Sequence, residues 1–318
     1  MRPLLIRLLP TVVAAVAGLA IYGAFFARAS SIHVRWRGET HPQTGWAPCN
    51  RNAGKAAAST FKPLSDAAAA ALVTPEPETR ADNSKPYDLD GTQHVAANDY
   101  VPTNAQVARF RRAKDSLGEP ITRLNPYEKY VDGRDGLHDP TTDELIQWGA
   151  HKWGIPENWL RAEYVLESYW NMWMRGDETS VSQALYGKYP VQARVPNTLQ
   201  VYQSLGITQV RWDPQGDYGA GTEPLRWEST AFNIDEQAAM VRFFYDNPEG
   251  ARSTWGDKSY VACQKWNSIG AWFAPYPWGN PGQAQYIKSV KVNLATTVWK
   301  SSTFLSFVPQ LPPGVKLR

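Results

Sequence analysis

Residues 141–170 read TTDELIQWGAHKWGIPENWLRAEYVLESYW, and this stretch decides the fold class. Thr141 followed three residues later by Glu144 fits a capping box, and Asp143 and Glu144 put acidic groups at the positive end of a helix dipole. Ile146, Ala150 and Trp153 recur at spacings of four and three, with Leu145 and Trp148 beside them, and Gly154 supplies a stop. Pro156 suits the first turn of a second helix, predicted from Glu157 to about Ser168. Leu160, Tyr164 and Glu167 lie one above another on one face of it.

Downstream, the spacing predicts a third helix after Asn233, running through Ala238, Val241 and Phe244 to about Tyr245. A fourth is predicted over 281–299, capped by Asn280, with Ala284, Ile287, Val290 and Leu294 as its buried stripe. Strand signals are weak and short, so the expected class is mainly α with few short strands. Upstream the character differs. Residues 30–125 read as an extended, low-complexity linker. Ala67 to Ala71 sit among Pro, Asp, Ser, Asn and Lys, as in Pro75-Glu76-Pro77, a composition poor in the apolar surface that offsets chain entropy. A short helix fits 103–116, its charges Arg109, Arg111, Arg112 and Lys114 reading as a solvated face. Residues 1–29 read as an export segment. Arg2 and Arg7 flank an apolar run from Leu8 to Ala27, and Ala27-Arg28-Ala29 resembles a cleavage site. The run is long enough to span a bilayer, so a cleaved signal peptide and a membrane anchor both stand, and both put the rest of the chain outside the cytoplasm. The folded unit is expected over 126–310, with 311–318 as a tail.

Composition excludes several function classes. The 318 residues are 43% hydrophobic and 20% charged, which fits a globular chain. A net charge of +3 lacks the basic bias of nucleic-acid binders. Two cysteines rule out a disulfide scaffold and a Cys-rich zinc site. Cys49 and Cys263 either pair in an oxidising compartment, tethering the linker to the domain, or Cys263 is buried and free inside a helix. The five histidines form no HExxH pattern, and there is no G-x-S-x-G elbow or phosphate-binding G-x-x-x-x-G-K-[ST] loop. No metal and no cofactor is expected. Of the 14 tryptophans, 12 follow residue 140, which locates the ligand-capable part. Trp170, Trp173, Trp212, Trp272 and Trp278 are candidates to stack on a flat ligand face, with core positions expected for most tryptophans.

Glu167 closes the second helix beside Leu166, Tyr169 and Trp170. Partial desolvation there would disfavour its charged form and suit a general acid near neutral pH; the plain alternative is a surface glutamate at a helix end. Glu163 sits one turn earlier on nearly the same face, either as a partner or as a structural hydrogen-bonding group. Asp177, in Arg175-Gly176-Asp177-Glu178, is a possible second carboxylate. Otherwise it is a turn residue in a Gly-containing loop, bonding its own backbone.

Three further segments accompany Glu167-Ser168 in order. They are Ser204-Leu205-Gly206-Ile207-Thr208-Gln209-Val210, then Ser268-Ile269-Gly270-Ala271-Trp272-Phe273, then Tyr286-Ile287. Together these resemble the ordered motifs of the goose-type lysozyme and soluble lytic transglycosylase superfamily, over roughly 128–300. The Val131-Asp132-Gly133 and 141–154 stretches resemble the opening of its transglycosylase-like domains. Two positions depart from the pattern. Thr208 stands where a methionine is expected before Gln209, and Ala271-Trp272-Phe273 replaces a segment that carries an asparagine.

The resemblance implies a lysozyme-like fold and cleavage of the β-1,4 bond between N-acetylmuramic acid and N-acetylglucosamine in peptidoglycan. It implies Glu167 as the general acid and later base, and a 1,6-anhydro product. Ser168, Ser204, Gly206, Gln209, Trp272 and Tyr286 would line the sugar cleft, with Ser168 buttressing it and Tyr286 orienting Glu167. A second carboxylate at Asp177 would instead give an inverting hydrolase. A non-catalytic wall-binding protein of the same fold and a chitin-directed glycosidase are the other readings. The expected partner is the peptidoglycan glycan strand, with a membrane contact through residues 8–27 if that run stays attached.

Overall fold

The structure is a computed structural model that describes residues 46–47, 49, 61–80, 82–89, 91–246, 260–261, 263–274, 279–308 and 311–318. Residues 1–29, expected to be an export segment, therefore lie outside the described residues, as do Tyr276, Pro277 and Trp278. Among the described residues no helix is long and apolar enough to cross a membrane.

Helices predominate, with a few short strands, as expected. In chain order they are α1 (Asp66–Ala70), β1 (Tyr87–Leu89), β2 (Thr92–His94), α2 (Asn104–Arg111), α3 (Ile121–Leu124), α4 (Thr142–Trp153) and α5 (Glu157–Ser168). There follow β3 (Arg175–Ser180), α6 (Gln183–Tyr186), β4 (Gln200–Leu205), β5 (Val210–Arg211), α7 (Leu225–Glu228) and α8 (Thr230–Asp246). The chain ends with α9 (Lys265–Phe273), α10 (Pro281–Thr296), α11 (Ser302–Leu305) and β6 (Val315–Leu317).

The 141–170 stretch forms as its sequence dictates. Thr141 Oγ1 accepts from Glu144 N while Glu144 accepts from Thr141 N, closing the capping box of α4, and Gly154 ends that helix in the left-handed region. Helix α8 lies against α4. Gly149 permits that approach: a Cβ there would sit 2.4 Å from Ile234 Cγ2. Helix α8 begins three residues ahead of Asn233, because Ser229 Oγ receives the Phe232 N–H at its start.

A charged node sits between these two helices. Lys152 Nζ lies 2.7 Å from Asp235 Oδ2, 2.7 Å from Asp66 Oδ1 and 3.3 Å from Asp132 Oδ1. Asp235, fully buried, also accepts from the Trp153 indole N–H and from the backbone N–H groups of Asp132 and Gly133. Burial alone would lower the lysine pKa; the three carboxylates outweigh it and hold the ammonium charged.

The region expected to be a linker departs from that expectation over residues 61–124. It holds α1, β1, β2, α2 and α3, and Ala69, Tyr87, Val107 and Phe110 are core residues. The expected tail, 311–318, contains β6, which pairs antiparallel with β1 (Tyr87 opposite Leu317) in a sheet ordered β2-β1-β6. Polar side chains anchor this segment, and an apolar pattern cannot reveal them. Asn83 donates to the Trp170 carbonyl and accepts from the Met172 N–H, and Arg80 donates to the Phe307 carbonyl. Of the basic residues on α2, Arg111 pairs with Asp132 and donates to the Val131 carbonyl, so that face is not simply solvated.

The chain before α1 is also tied down. Ala47 N and Leu64 N donate to the Gly154 and Lys152 carbonyls, which the end of α4 leaves open. Trp46 meets Trp159 edge-on at 5.4 Å, and Trp159 lies against Trp266 at 4.1 Å. Cys49 and Cys263 form a disulfide, and Cys263 precedes α9 rather than lying inside a helix.

Two predictions follow from these contacts. A chain lacking residues 1–125 loses Asp66, Asn83, β1 and the Phe110 contact, and is expected to show no cooperative thermal unfolding by circular dichroism; a sharp transition near that of the full chain would refute this. The second concerns Glu236 and Glu128, buried carboxyls that face each other electrostatically. Burial and neighbouring acids raise both, Glu236 to about 8. The folded state then holds protons that the unfolded chain releases, so this stability is present at pH 4–5 and drains away as pH rises towards 8. Glu236→Gln should flatten that fall by on the order of 1–3 kcal/mol between pH 5 and 8.5, read by denaturant unfolding.

Candidate active site

The site is built around the last turn of α5. Tyr164 and Leu160 face the core, and the same helical face carries Glu163 and Glu167. Glu163 is fully buried, whereas Glu167 is only partly covered. After Ser168 the chain leaves the helix through two residues with left-handed backbones, Tyr169 and Trp170. Trp170 is pinned by its indole N–H on the Arg161 carbonyl, and Asn83 grips the next turn. This places Glu167 at a fixed helix end.

Helix α10 lies along α5 and brings Tyr286 to it. The buried face of α10 is Gln283, Tyr286, Val290 and Asn293. This corrects the expected stripe: Ala284 is exposed, and Ile287 and Leu294 are half-buried. The interface is polar because its groups are paired. Asn293 donates to the Ala162 carbonyl at 3.0 Å, and Gln283 donates to the Ala274 carbonyl. Two turns before Asn293, Tyr286 hydrogen-bonds Glu167 Oε1 and lies 3.1 Å from Glu163 Oε1. Phe273 of α9 stacks on the Tyr286 ring at 4.7 Å, and the Trp272 side chain lies near enough to Glu167 to favour its charged form.

These surroundings set the acidity of Glu167. Burial pushes its pKa up to about 7; the Asp177 charge adds to that, while donation from Tyr286 and the nearby Trp272 side chain oppose it. A carboxyl so poised is half protonated near neutral pH and can both give and take a proton.

The other predicted residues fall into distinct places. Ser168 is buried, and its hydroxyl donates to the Ile207 carbonyl at 2.6 Å while accepting from Asn171 N. It buttresses the helix end, and its engaged hydroxyl is unavailable as a sugar ligand. Gly206 and Gln209 form the turn between β4 and β5. Gly206 adopts φ +92°, and a Cβ would come within 2.2 Å of Asn233 Nδ2, so only glycine fits. Gln209 donates to the Met174 and Gly206 carbonyls. Its amide nitrogen is thus spent on the backbone, where it braces the turn. Thr208, in the expected methionine's place, is buried and bonded to Asn233 Oδ1 through both its N–H and its hydroxyl.

Asp177 is not in a loop. It lies in β3 with a left-handed backbone (φ 53°), exposed, and accepts from the Ser204 hydroxyl of β4. The pairing of β3 with β4 runs from Arg175–Leu205 to Ser180–Gln200 and skips only Asp177 and the Gln203 opposite it. Among the candidate tryptophans, Trp170 and Trp173 are core residues at 1% and 2% exposure and cannot meet a ligand. Trp212 and Trp272 remain partly open.

Three supporting residues carried no signal in the sequence. Asn233 bridges Thr208, the Leu205 carbonyl and the Arg226 carbonyl. Asn83 holds the turn after Glu167, and Gln237 faces Glu163. Each is a buried amide that acts through hydrogen bonds, which periodicity does not register.

The chain matches no family model, no curated protein and no solved structure.

The causes of the Glu167 shift can be read without turnover. In a 13C NMR titration, Tyr286→Phe should raise the Glu167 midpoint and Asp177→Asn should lower it, each by on the order of one pH unit or less. Unchanged midpoints in both variants would remove these groups from its electrostatics.

Proposed function

We propose that this chain is an exported peptidoglycan lytic transglycosylase with a lysozyme-like fold, using Glu167 as its single general acid and base. The carrying observation is that carboxyl: only partly covered, pushed up to about 7, and held by the Tyr286 hydroxyl. The four motif segments meet around it. Tyr286 and Trp272 act on Glu167 directly, Ser168 ties its helix end to Ile207, and Ser204 holds Asp177. The Cys49–Cys263 disulfide supports an oxidising compartment outside the cytoplasm.

In the proposed reaction, protonated Glu167 gives its proton to the glycosidic oxygen between N-acetylmuramic acid and N-acetylglucosamine, and the C1–O bond of the muramic acid breaks. The substrate's own N-acetyl oxygen stabilises the cationic C1. Glu167, now a carboxylate, takes the proton of the C6 hydroxyl as its oxygen bonds to C1. A 1,6-anhydro end results, and the acid is regenerated. The substrate supplies the nucleophile, so no second carboxylate is required.

One observation favours a second reading, an inverting muramidase. Asp177 acts electrostatically on Glu167 from β3 and is held by Ser204, a placement open to a base that activates water.

Mass analysis of products from purified peptidoglycan separates the readings. The transglycosylase gives anhydro ends. Glu167→Gln is then expected to keep its fold and lose about 10²–10⁴-fold in rate, while Asp177→Asn keeps substantial activity and the anhydro product. Reducing ends, with Asp177→Asn falling as far as Glu167→Gln, would establish the muramidase instead. A folded wild type giving no product would point to a wall-binding protein.

A further inference from the structure

Two carboxyls on one face of α5 meet a single phenol. Tyr286 Oη lies 3.1 Å from Glu163 Oε1 and also bonds Glu167 Oε1. A phenol has one proton and donates to one acceptor at a time. The second contact needs a proton from the other side, or it sets lone pair against lone pair.

The surroundings decide which carboxyl supplies it. Glu163 has 0% exposure, and its Oε2 has no hydrogen-bond partner, whereas Glu167 is only partly covered. The groups acting on Glu163 are the Glu167 carboxyl on its own helix, Gln237 from α8 and Tyr286 from α10; Tyr164 is its neighbour along α5. An anion there would be desolvated, short of donors and next to another acid, and a neutral acid avoids all three costs. Burial first, and the neighbouring acid second, push Glu163 well above the usual carboxylate range.

We propose that Glu163 is a permanently protonated positioning residue, whose carboxylic O–H donates to Tyr286 Oη and so commits the phenol proton to Glu167 Oε1. This rests on the reading of Glu167 as the acid. With Oε1 held as an acceptor, Glu167 carries its own proton on Oε2, the oxygen that Tyr286 leaves for the substrate. Once that proton has gone, the same chain of donors stabilises the carboxylate, since successive hydrogen bonds polarise one another. A charged Glu163 would do the reverse, drawing the phenol proton to itself and raising Glu167 by repulsion.

The test compares Glu163→Gln with Glu163→Met in the full chain, after thermal unfolding shows that each is folded. Glu163 and Glu167 are titrated by 13C NMR, and kcat and KM for muropeptide release are measured across pH. Glu163 of the wild type is expected to stay protonated across the range in which Glu167 titrates. Glutamine, neutral and still a donor, should leave the Glu167 midpoint within about 0.3 pH units of wild type and kcat within about threefold. Methionine, with no donor, should raise that midpoint by about half a unit or more and lower kcat about tenfold at unchanged KM. A Glu163 that titrates below pH 6, a glutamine variant whose Glu167 midpoint falls by about a unit, or a methionine variant indistinguishable from wild type would each overturn the proposal. The NMR arm needs no turnover. A wild type that gives the expected titrations but no muropeptides would therefore sink the enzymatic reading while leaving the proton arrangement standing.

Discussion

The salt bridge between Lys152 and Asp235 fixes the frame on which everything else is hung. Both partners are buried, on the two helices that cross at Gly149, and each is shared. Lys152 also holds Asp66 of α1 and Asp132 of the loop before α4, while Asp235 gathers that loop's N–H groups and the Trp153 indole. Removing one partner from such a node leaves uncompensated charge in the core, on the order of 3–5 kcal/mol. Its consequence for the site is one of register. Asp235 locks α8 in rotation, and two residues to either side stand Asn233, which shapes the Gly206 turn, and Gln237, which faces Glu163.

The frame explains why the N-terminal region belongs to the folded unit. Asp66 adds a third carboxylate to Lys152, Asn83 holds the turn after Glu167, and β1 gives the C-terminal strand a partner. None of these contributions is an apolar stripe. A reading based on hydrophobic spacing sees alanines, prolines and polar residues there, and infers a linker. In the folded chain those polar side chains reach buried backbone groups, and of the alanines at 67–71 only Ala69 is buried.

The same distinction separates what was legible in the sequence from what was not. Helices α4 and α5 were legible almost to the residue, because Thr141, Glu144, Gly154 and Pro156 act locally on their own backbone. Glu167 and Tyr286 were reached through the resemblance of ordered motifs, and the helix contact that joins them could not be derived from spacing. The buried face of α10 was misassigned by one step around the helix, since the residues it hides are Gln283, Tyr286 and Asn293, each with a polar partner. Asp177 was expected to stabilise a turn through its own backbone. A cross-strand bond from Ser204 prevails instead, and no local signal announces that.

Acid groups buried without cations give the site and the core a common dependence on protons. Glu167 and Glu236 both rise, to about 7 and about 8, and Glu163 and Glu128 rise with them. For each, burial is the first cause, so the folded state binds protons that the unfolded chain would release over the pH range between the two values. The stability they contribute is complete below the ordinary carboxylate range and is lost as pH climbs through the folded values. Glu167 stops being an acid in the upper part of that same range. Burial that makes a carboxyl useful as a proton donor near neutrality therefore favours the fold at acid pH, and one physical cause ties the working range of the site to the stable range of its frame.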